Sequence, residues 1–361
     1  MNSKRGKPAI QRPRLYGLLF CISTTLLLLV CFVQGCRSQS KNKQDLGANP
    51  IIPHLEKMRE ELHPLQFDKV VDFSPDELEY FRYYGLKIHN SEHLFGTFTS
   101  GDKLLAAHVF KVKMAKGTVI LVHGYLDHSG VWKNLIKEMV DRGYTVAVYD
   151  QPGHGLSSGE RAAIDDFSEY VSVFEEFLRL CELNLPGPQH LVAHSMGGAI
   201  ALDYLINVDQ TPLDRVVLLA PLVHTSHWNL ARLGHYLGKH LSDSVPRASP
   251  KTSSDEEFLE FSRNDPLQAK QVPTKWFSAL VEWNKRIVET APSTLPVMVI
   301  QGTADTTVDW KYNMEFIKEK FPRADILMIE AGGHQLINET LPMRTEVIQI
   351  IADDIAAGVG N

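Results

Sequence analysis

Cysteine is scarce in this 361-residue chain: there are four, and Cys21, Cys31 and Cys36 all fall within the first 36 residues. The rest holds only Cys181, so it can form no internal disulfide and offers no cysteine set with zinc-site spacing. Positive charge is also in deficit. Lys and Arg number 37 against 43 Asp and Glu, for a net charge of −6 and a pI of about 6.2. A phosphate backbone would find no basic surface here, which excludes nucleic acid as an expected partner. Internal repeats and low-complexity tracts are absent, excluding a repeat architecture. What is present is ample core material, since 44% of residues are hydrophobic and 22% charged. A chain of this length allows two domains or one large α/β domain with an insertion.

The few cations are unevenly placed. Lys4, Arg5, Lys7, Arg12 and Arg14 occupy the first fourteen residues without one acid, leaving the rest of the chain at about −11. An uncharged apolar run, Leu15 to Val33, follows them, and a basic head before such a run marks an export signal or a membrane anchor. The run ends in Val33-Gln34-Gly35-Cys36, which resembles the lipobox of bacterial lipoproteins, where the cysteine is lipidated and becomes the new N-terminus; Gln34 stands where a small residue is usual. About nineteen residues can also span a bilayer uncleaved, with the basic end in the cytoplasm. An ordinary cleaved signal is the third reading. All three place the globular part across the membrane, in the cell envelope. Residues 1–36 are thus expected to be a signal or anchor with Cys36 as its lipidation site, and the polar residues 37–53 a tether. An N-terminal helical extension is expected over 54–93.

From residue 94 the chain alternates β-branched runs with helical patterns, which predicts βαβ units and a parallel sheet. Strands are expected at Thr118 to Val122, Tyr144 to Tyr149, His190 to Ala193, Val216 to Leu219, Val297 to Ile300 and Ile326 to Ile329. Helical spacing covers Val131 to Met139, Phe167 to Leu183 and Val347 to Ile355, and Cys181 lies on the apolar face of the second of these. Ser100-Gly101-Asp102, between two strand-like runs, predicts a hairpin. The core is therefore assigned to 94–221 and 293–361. Residues 222–292 contain no strand-like run, and a structureless loop of that length is rare, so they are read as a helical cap or lid. Their apolar residues recur at helical spacing: Leu230, Leu233, Tyr236, Leu237 and Leu241, then Trp276, Phe277, Leu280 and Trp283. Such stripes either cover the edge of the sheet or wall a lipid-accepting pocket, with Trp228, Trp276 and Trp283 as candidate substrate contacts.

Ala193-His194-Ser195-Met196-Gly197-Gly198 joins a strand to a helix and matches the nucleophile elbow G-x-S-x-G, with Ala193 in place of the first glycine. Small residues are needed because the turn brings strand and helix backbones together. The helix start offers the Met196 amide to an oxyanion. A serine hydroxyl needs a base, and the base an orienting carboxylate, in the chain order Ser, Asp or Glu, His. Asp305, after the strand ending at Ile300, and His334, after the strand ending at Ile329, supply them in that order. Asp309 is the rival carboxylate. The second oxyanion amide is assigned to Tyr125, beyond His123-Gly124 at the end of the first parallel strand. His123, His154 and His194 are read as structural.

His123-Gly124 with His128-Ser129-Gly130, Asp150-Gln151-Pro152-Gly153-His154-Gly155-Leu156-Ser157 with Gly159-Glu160-Arg161, Asn264-Asp265-Pro266-Leu267, and Gly333-His334 with Asn338-Glu339 together resemble the monoacylglycerol lipase and lysophospholipase branch of the α/β-hydrolases. The resemblance covers about residues 94 to 355. It implies a mostly parallel eight-stranded sheet with helices on both faces, a helical cap gating an apolar acyl tunnel, and a carboxylic ester hydrolase acting on single-chain glycerolipids. Attack by Ser195 with His334 as base would give an acyl-enzyme that water resolves, chemistry that needs no metal or cofactor. Serine at the elbow argues against dehalogenases and epoxide hydrolases, which use aspartate there. An acyltransferase or thioesterase would keep all three residues, and a non-catalytic binding protein on a hydrolase scaffold is the alternative of a different kind. Oligomeric state is not legible.

Overall fold

The computed structural model describes residues 49–358 apart from 70, 240 and 249. The expected signal or anchor, its Cys36 and residues 37–48 of the tether lie outside the described residues. Helix α1 (Ile52–Glu61) starts two residues before the expected start of the helical extension at residue 54. Pro53 sits in its first turn, where a missing N–H breaks no helical bond. Helix α2 (Pro75–Tyr83) opens with a capping box, in which the Ser74 side chain accepts from Glu77 N–H and the Glu77 carboxylate accepts from Ser74 N–H.

Strands β1 (Glu92–Ser100) and β2 (Lys103–Lys111) form the antiparallel hairpin expected at Gly101. They are followed by β3 (Thr118–Val122), helix α3 (Lys133–Asp141), β4 (Thr145–Tyr149), α4 (Ser168–Asn184), β5 (Gln189–His194), α5 (Met196–Ile206) and β6 (Leu213–Leu219). After the insertion come β9 (Val297–Gly302), helix α9 (Trp310–Lys320), β10 (Ala324–Ile329) and α10 (Leu341–Gly358). The eight strands make one sheet in the order β1-β2-β4-β3-β5-β6-β9-β10, parallel from β4 onward. Both faces are covered. Leu105, Val109, Ile120 and Leu218 pack on one side with Phe174, Phe177, Ala199 and Phe321 of α4, α5 and the α9 end. Ala106, Phe110, Val119 and Val217 pack on the other with Tyr80, Phe81, Leu135 and Ile351 of α2, α3 and α10. Burial on both faces is why these strands read as continuous apolar runs rather than as alternation. Cys181 is buried in the first of these cores, where burial holds its thiol protonated.

Between β6 and β9 lie helices α6 (Trp228–Gly238), α7 (Glu256–Asn264) and α8 (Thr274–Val288), as the absence of strand-like runs predicts in the main. Two three-residue strands, β7 (Ser244–Pro246) and β8 (Gln271–Pro273), also pair there as an antiparallel ribbon. That ribbon corrects the all-helical expectation; both strands are short and proline-ended, which leaves no periodic signature. Helix α8 is fixed to the core: Arg286 forms a bidentate pair with the buried Asp203 of α5 at 2.9 and 2.7 Å, and Trp283 Nε1–H donates to the same carboxylate at 3.1 Å. The two apolar stripes have different fates. Trp276, Leu280 and Trp283 point inward, whereas Leu230, Leu233, Tyr236, Leu237 and Leu241 are 55–86% exposed. The α6 stripe therefore covers neither the sheet edge nor a closed pocket. No helix among the described residues is long and apolar enough to cross a membrane.

Candidate active site

Strand β5 ends at His194, and Ser195 occupies φ 52, ψ −113 before helix α5 begins at Met196. A non-glycine residue in this region carries a strain of about 1–3 kcal/mol and persists only where its surroundings enforce it. Here Ser195 N–H donates to Leu219 O, while Ser195 O accepts from Leu222 and Ala199 N–H, all at 2.9–3.1 Å. The turn is tight enough that a Cβ at Gly197 would meet the Val122 carbonyl oxygen at 2.2 Å, so the small residue there is a steric requirement. Ala193 is fully buried in the strand before it.

Two strand ends bring the partners. The loops after β9 and β10 lie so close that a Cβ at Gly302 would meet the Gly332 carbonyl at 2.2 Å. They set His334 between Asp305 and Ser195. His334 Nδ1–H donates to Asp305 Oδ2 at 2.7 Å, and the Ser195 hydroxyl donates to His334 Nε2 at 3.0 Å. A carboxylate can only accept, so it fixes the proton on Nδ1 and leaves Nε2 free to take one from serine. All three residues are 5–6% exposed. Burial disfavours charge on His334, but the Asp305 carboxylate, its hydrogen bond and the nearby Asp127 outweigh it and raise the imidazole pKa above its ordinary 6.5. Asp305 is also opposed by burial, yet His334 and the N–H groups of Thr307 and Val308 hold it below the usual carboxylate range. Asp309 is placed elsewhere, capping α9 through Tyr312 N–H.

The Met196 and Tyr125 backbone N–H groups have no acceptor among the described residues, and both lie beside the elbow: Met196 follows Ser195, and Tyr125 follows Gly124, where a Cβ would stand 3.0 Å from Ser195 Cβ. The Tyr125 ring stacks on Trp276 at 3.5 Å, and its hydroxyl donates to Ala162 O at 2.7 Å. Trp276 thus ties α8 to the loop after β3. Trp228 and Trp283 do not share that position. Trp228 stacks on His224, and Trp283 packs on Phe167 over Asp203.

The three histidines expected to be structural hold loops. His123 donates through Nδ1 to Gly124 O and accepts at Nε2 from Gln151 N–H, a fixed neutral tautomer. His154 Nδ1 lies 2.8 Å from Pro152 O. His194 donates to the His334 carbonyl at 3.0 Å, and burial pushes its pKa down to about 4. Several supporting residues escaped the sequence reading. Buried Asp127 accepts from Gln335 Nε2 at 2.9 Å and Gln268 Nε2 at 3.3 Å. Glu339 accepts from Gly333 N–H at 2.8 Å and from Ser254 N–H at 2.6 Å, tying the His334 loop to the insertion. Asp265 accepts from Tyr84 and His128, each at 2.7 Å. Only the Asn-Asp-Pro-Leu and Asn-Glu motifs hinted at two of these. Among the described residues no group of three or more His, Cys, Asp or Glu is arranged to hold a metal ion.

A neutral His334 is the form that can accept the serine proton. Since its pKa is raised, kcat/KM is expected to climb with pH through an inflection above 6.5 and to fall as His334 protonates below it. A profile flat from pH 5 to 8 would contradict this placement of the base.

A strained serine above a parallel sheet, with histidine and aspartate delivered by the next strand ends, defines a serine hydrolase on the α/β-hydrolase fold. The chain belongs to the family described as serine aminopeptidase, S33, whose model matches residues 113–341. It is 27% identical over 244 residues to the monoglyceride lipase of Homo sapiens, covering 64% of this chain and 80% of that one. It is 25% identical over 274 residues to a probable lysophospholipase of Haemophilus influenzae, covering 69% and 87%. The fold matches the crystal structure of Paleococcus ferrophilus monoacylglycerol lipase with a TM-score of 0.61 and 22% identity, over 70% of this chain and 99% of that one.

Proposed function

We propose that the protein hydrolyses carboxylic esters of single-chain glycerolipids, of the monoacylglycerol or lysophospholipid type. Ser195 is the nucleophile, His334 the base, Asp305 the residue that orients and charges it, and Met196 and Tyr125 the amide donors to the oxyanion. The continuous relay from Asp305 through His334 to Ser195, at 2.7 and 3.0 Å, carries this reading. Ser195 Oγ attacks the ester carbonyl as its proton passes to His334 Nε2. The negative charge that develops on the carbonyl oxygen falls beside the two uncommitted N–H groups at the start of α5 and after β3. His334 then protonates the departing alcohol, and the same groups run in reverse with water to free the fatty acid. The likeness to a monoglyceride lipase and to a probable lysophospholipase supports lipid esters as the substrate class.

The test is fatty-acid release from monoacylglycerols, lysophospholipids and short-chain esters by the full chain in detergent, against Ser195→Ala. Turnover lost in the variant supports the reading. Cleavage of aminoacyl anilides with no ester turnover would overturn it.

The basic and apolar leader supports a further element of the proposal, that the catalytic unit is a membrane-held lipoprotein lipidated at Cys36 and working outside the cytoplasm, near an amphiphilic substrate. Intact-mass analysis of membrane-extracted protein is expected to show an N-terminus at a diacylated Cys36. A free Met1 on the whole chain would replace this with an uncleaved anchor.

A further inference from the structure

The two helices of the N-terminal extension lie ahead of residues 113–341, which the family model matches, yet the extension reaches the catalytic loops. Tyr84, the residue after α2, is buried, and its hydroxyl donates to Asp265 Oδ1 at 2.7 Å. Asp265 follows α7 in the insertion and is fully buried. Its other oxygen accepts from His128 Nε2–H at 2.7 Å, and Leu267 N–H donates to Oδ1 at 2.9 Å. Three segments distant in sequence, the extension, the insertion and the loop after β3, thus meet on one carboxylate. Burial opposes its charge, but His128 and the donated hydrogen bonds outweigh this and hold Asp265 below the usual carboxylate range. Burial and the same carboxylate press the Tyr84 phenol upward, so it stays a donor.

The loop they grip is the one that carries Tyr125. His128 Nδ1 accepts from Gly130 N–H at 3.1 Å, which leaves the Nε2 proton for Asp265. Next to it, Ser129 N–H and its hydroxyl donate to Asp150 Oδ1 at 2.7 and 2.6 Å. The Tyr84 ring presses on the same turn: a Cβ at Gly130 would stand 2.7 Å from both Tyr84 Cδ1 and His128 Cε1. Asp127 N–H donates to Gly124 O at 3.2 Å, closing the short turn that contains Tyr125. Displacing His128 therefore moves a loop whose amide, three residues away in sequence, must meet the oxyanion at hydrogen-bond distance. Adhesion alone does not call for this arrangement, because Leu55, Met58 and Phe81 already hold the extension to the core by apolar contact. Desolvation of a buried carboxylate offsets much of what its hydrogen bonds return; what Asp265 adds is direction.

We propose that the N-terminal extension is a working part of the active site, with Tyr84 and Asp265 as positioning residues that hold the Tyr125 amide in line with the oxyanion. The inference rests on the ester-hydrolase reading and deepens it. The full chain in detergent is assayed on a monoacylglycerol as wild type, Tyr84→Phe, Asp265→Asn, the double variant and Leu55→Ala, with a melt of each. Losing an oxyanion donor outright costs about 10² to 10³ in rate, so misaligning one is expected to lower kcat about tenfold in Tyr84→Phe and about a hundredfold in Asp265→Asn. KM should stay within about threefold, because ground-state binding does not use the amide. The double variant should match Asp265→Asn alone, since both changes act through one carboxylate. Affinity for an alkyl trifluoromethyl ketone, which takes Ser195 Oγ at its carbonyl carbon and leaves the charge on oxygen, should fall with kcat. Affinity for a monoalkylglycerol ether, which has no carbonyl, should hold. Leu55→Ala loosens the extension at α1 and touches none of these hydrogen bonds, so it should lower the melting temperature while keeping kcat within about threefold. Should Asp265→Asn fail to fold, Tyr84→Phe, which keeps the ring, decides alone. Wild-type kcat and ketone affinity in Tyr84→Phe, or a loss of kcat in Leu55→Ala equal to that in Tyr84→Phe, overturns the proposal while leaving the hydrolase intact. No ester turnover by the wild type overturns the ester-hydrolase reading itself.

Discussion

Ser195→Ala is expected to lower kcat by about 10⁶ on every ester the wild type cleaves, with the melting temperature unchanged or slightly raised. The size follows from how the triad works as a unit: without Oγ, His334 has no proton to take, and only binding and the oxyanion amides remain. Stability should be spared because the elbow is held by its backbone. Ser195 N–H and O keep their bonds to Leu219, Leu222 and Ala199, and alanine places the same Cβ at the same positive φ. The one interaction lost is the 3.0 Å bond to His334, which serves chemistry rather than packing. Initial rates in a purified preparation, with a circular-dichroism melt of each protein, test both halves. Residual activity above about 10⁻³ of wild type would place the nucleophile elsewhere, because loss of the attacking group leaves far less than that.

The elbow could be read from sequence because its requirement is local. Gly197 faces the Val122 carbonyl, and no other residue fits between that strand and the following helix. The strands were equally legible, since burial on two faces writes itself as unbroken apolar runs. The α6 stripe shows where legibility ends. Periodicity states which residues share a face of a helix, and Leu230, Leu233 and Leu237 do share one. What covers that face is decided by tertiary placement, which left it to solvent while the equivalent stripe of α8 was buried. Asp127 was invisible for a related reason. An acid in a loop has no pattern, and its importance arises only when Gln268 and Gln335, 141 and 208 residues away in sequence, converge on its two oxygens. The three tryptophans show the same limit: their spacing is alike helical in sequence, and only tertiary placement sets Trp276 on Tyr125 while Trp228 stacks on His224 and Trp283 packs on Phe167.

The two carboxylates that sequence order left in competition are separated by a pair of conservative substitutions. Asp305→Asn is expected to reduce kcat by about 10⁴. Asp305 Oδ1 accepts the N–H groups of Thr307 and Val308 at 2.7 and 3.2 Å, while Oδ2 accepts His334 Nδ1–H and Gln301 Nε2–H at 2.7 and 3.2 Å. The two backbone donors fix the amide oxygen of an asparagine at the Oδ1 position, so its NH₂ must face His334. Nδ1 is then forced to accept, the ring proton moves to Nε2, and the serine proton has nowhere to go. The inflection of kcat/KM should also drop, because the carboxylate that raises the His334 pKa has gone. Asp309→Asn changes none of this. Its carboxylate caps α9, and asparagine caps a helix as well as aspartate, so activity within about threefold of wild type is expected. A large loss in Asp309→Asn with Asp305→Asn near wild type would reverse the assignment, and would require the β9 loop to rearrange so that Asp309 rather than Asp305 meets Nδ1.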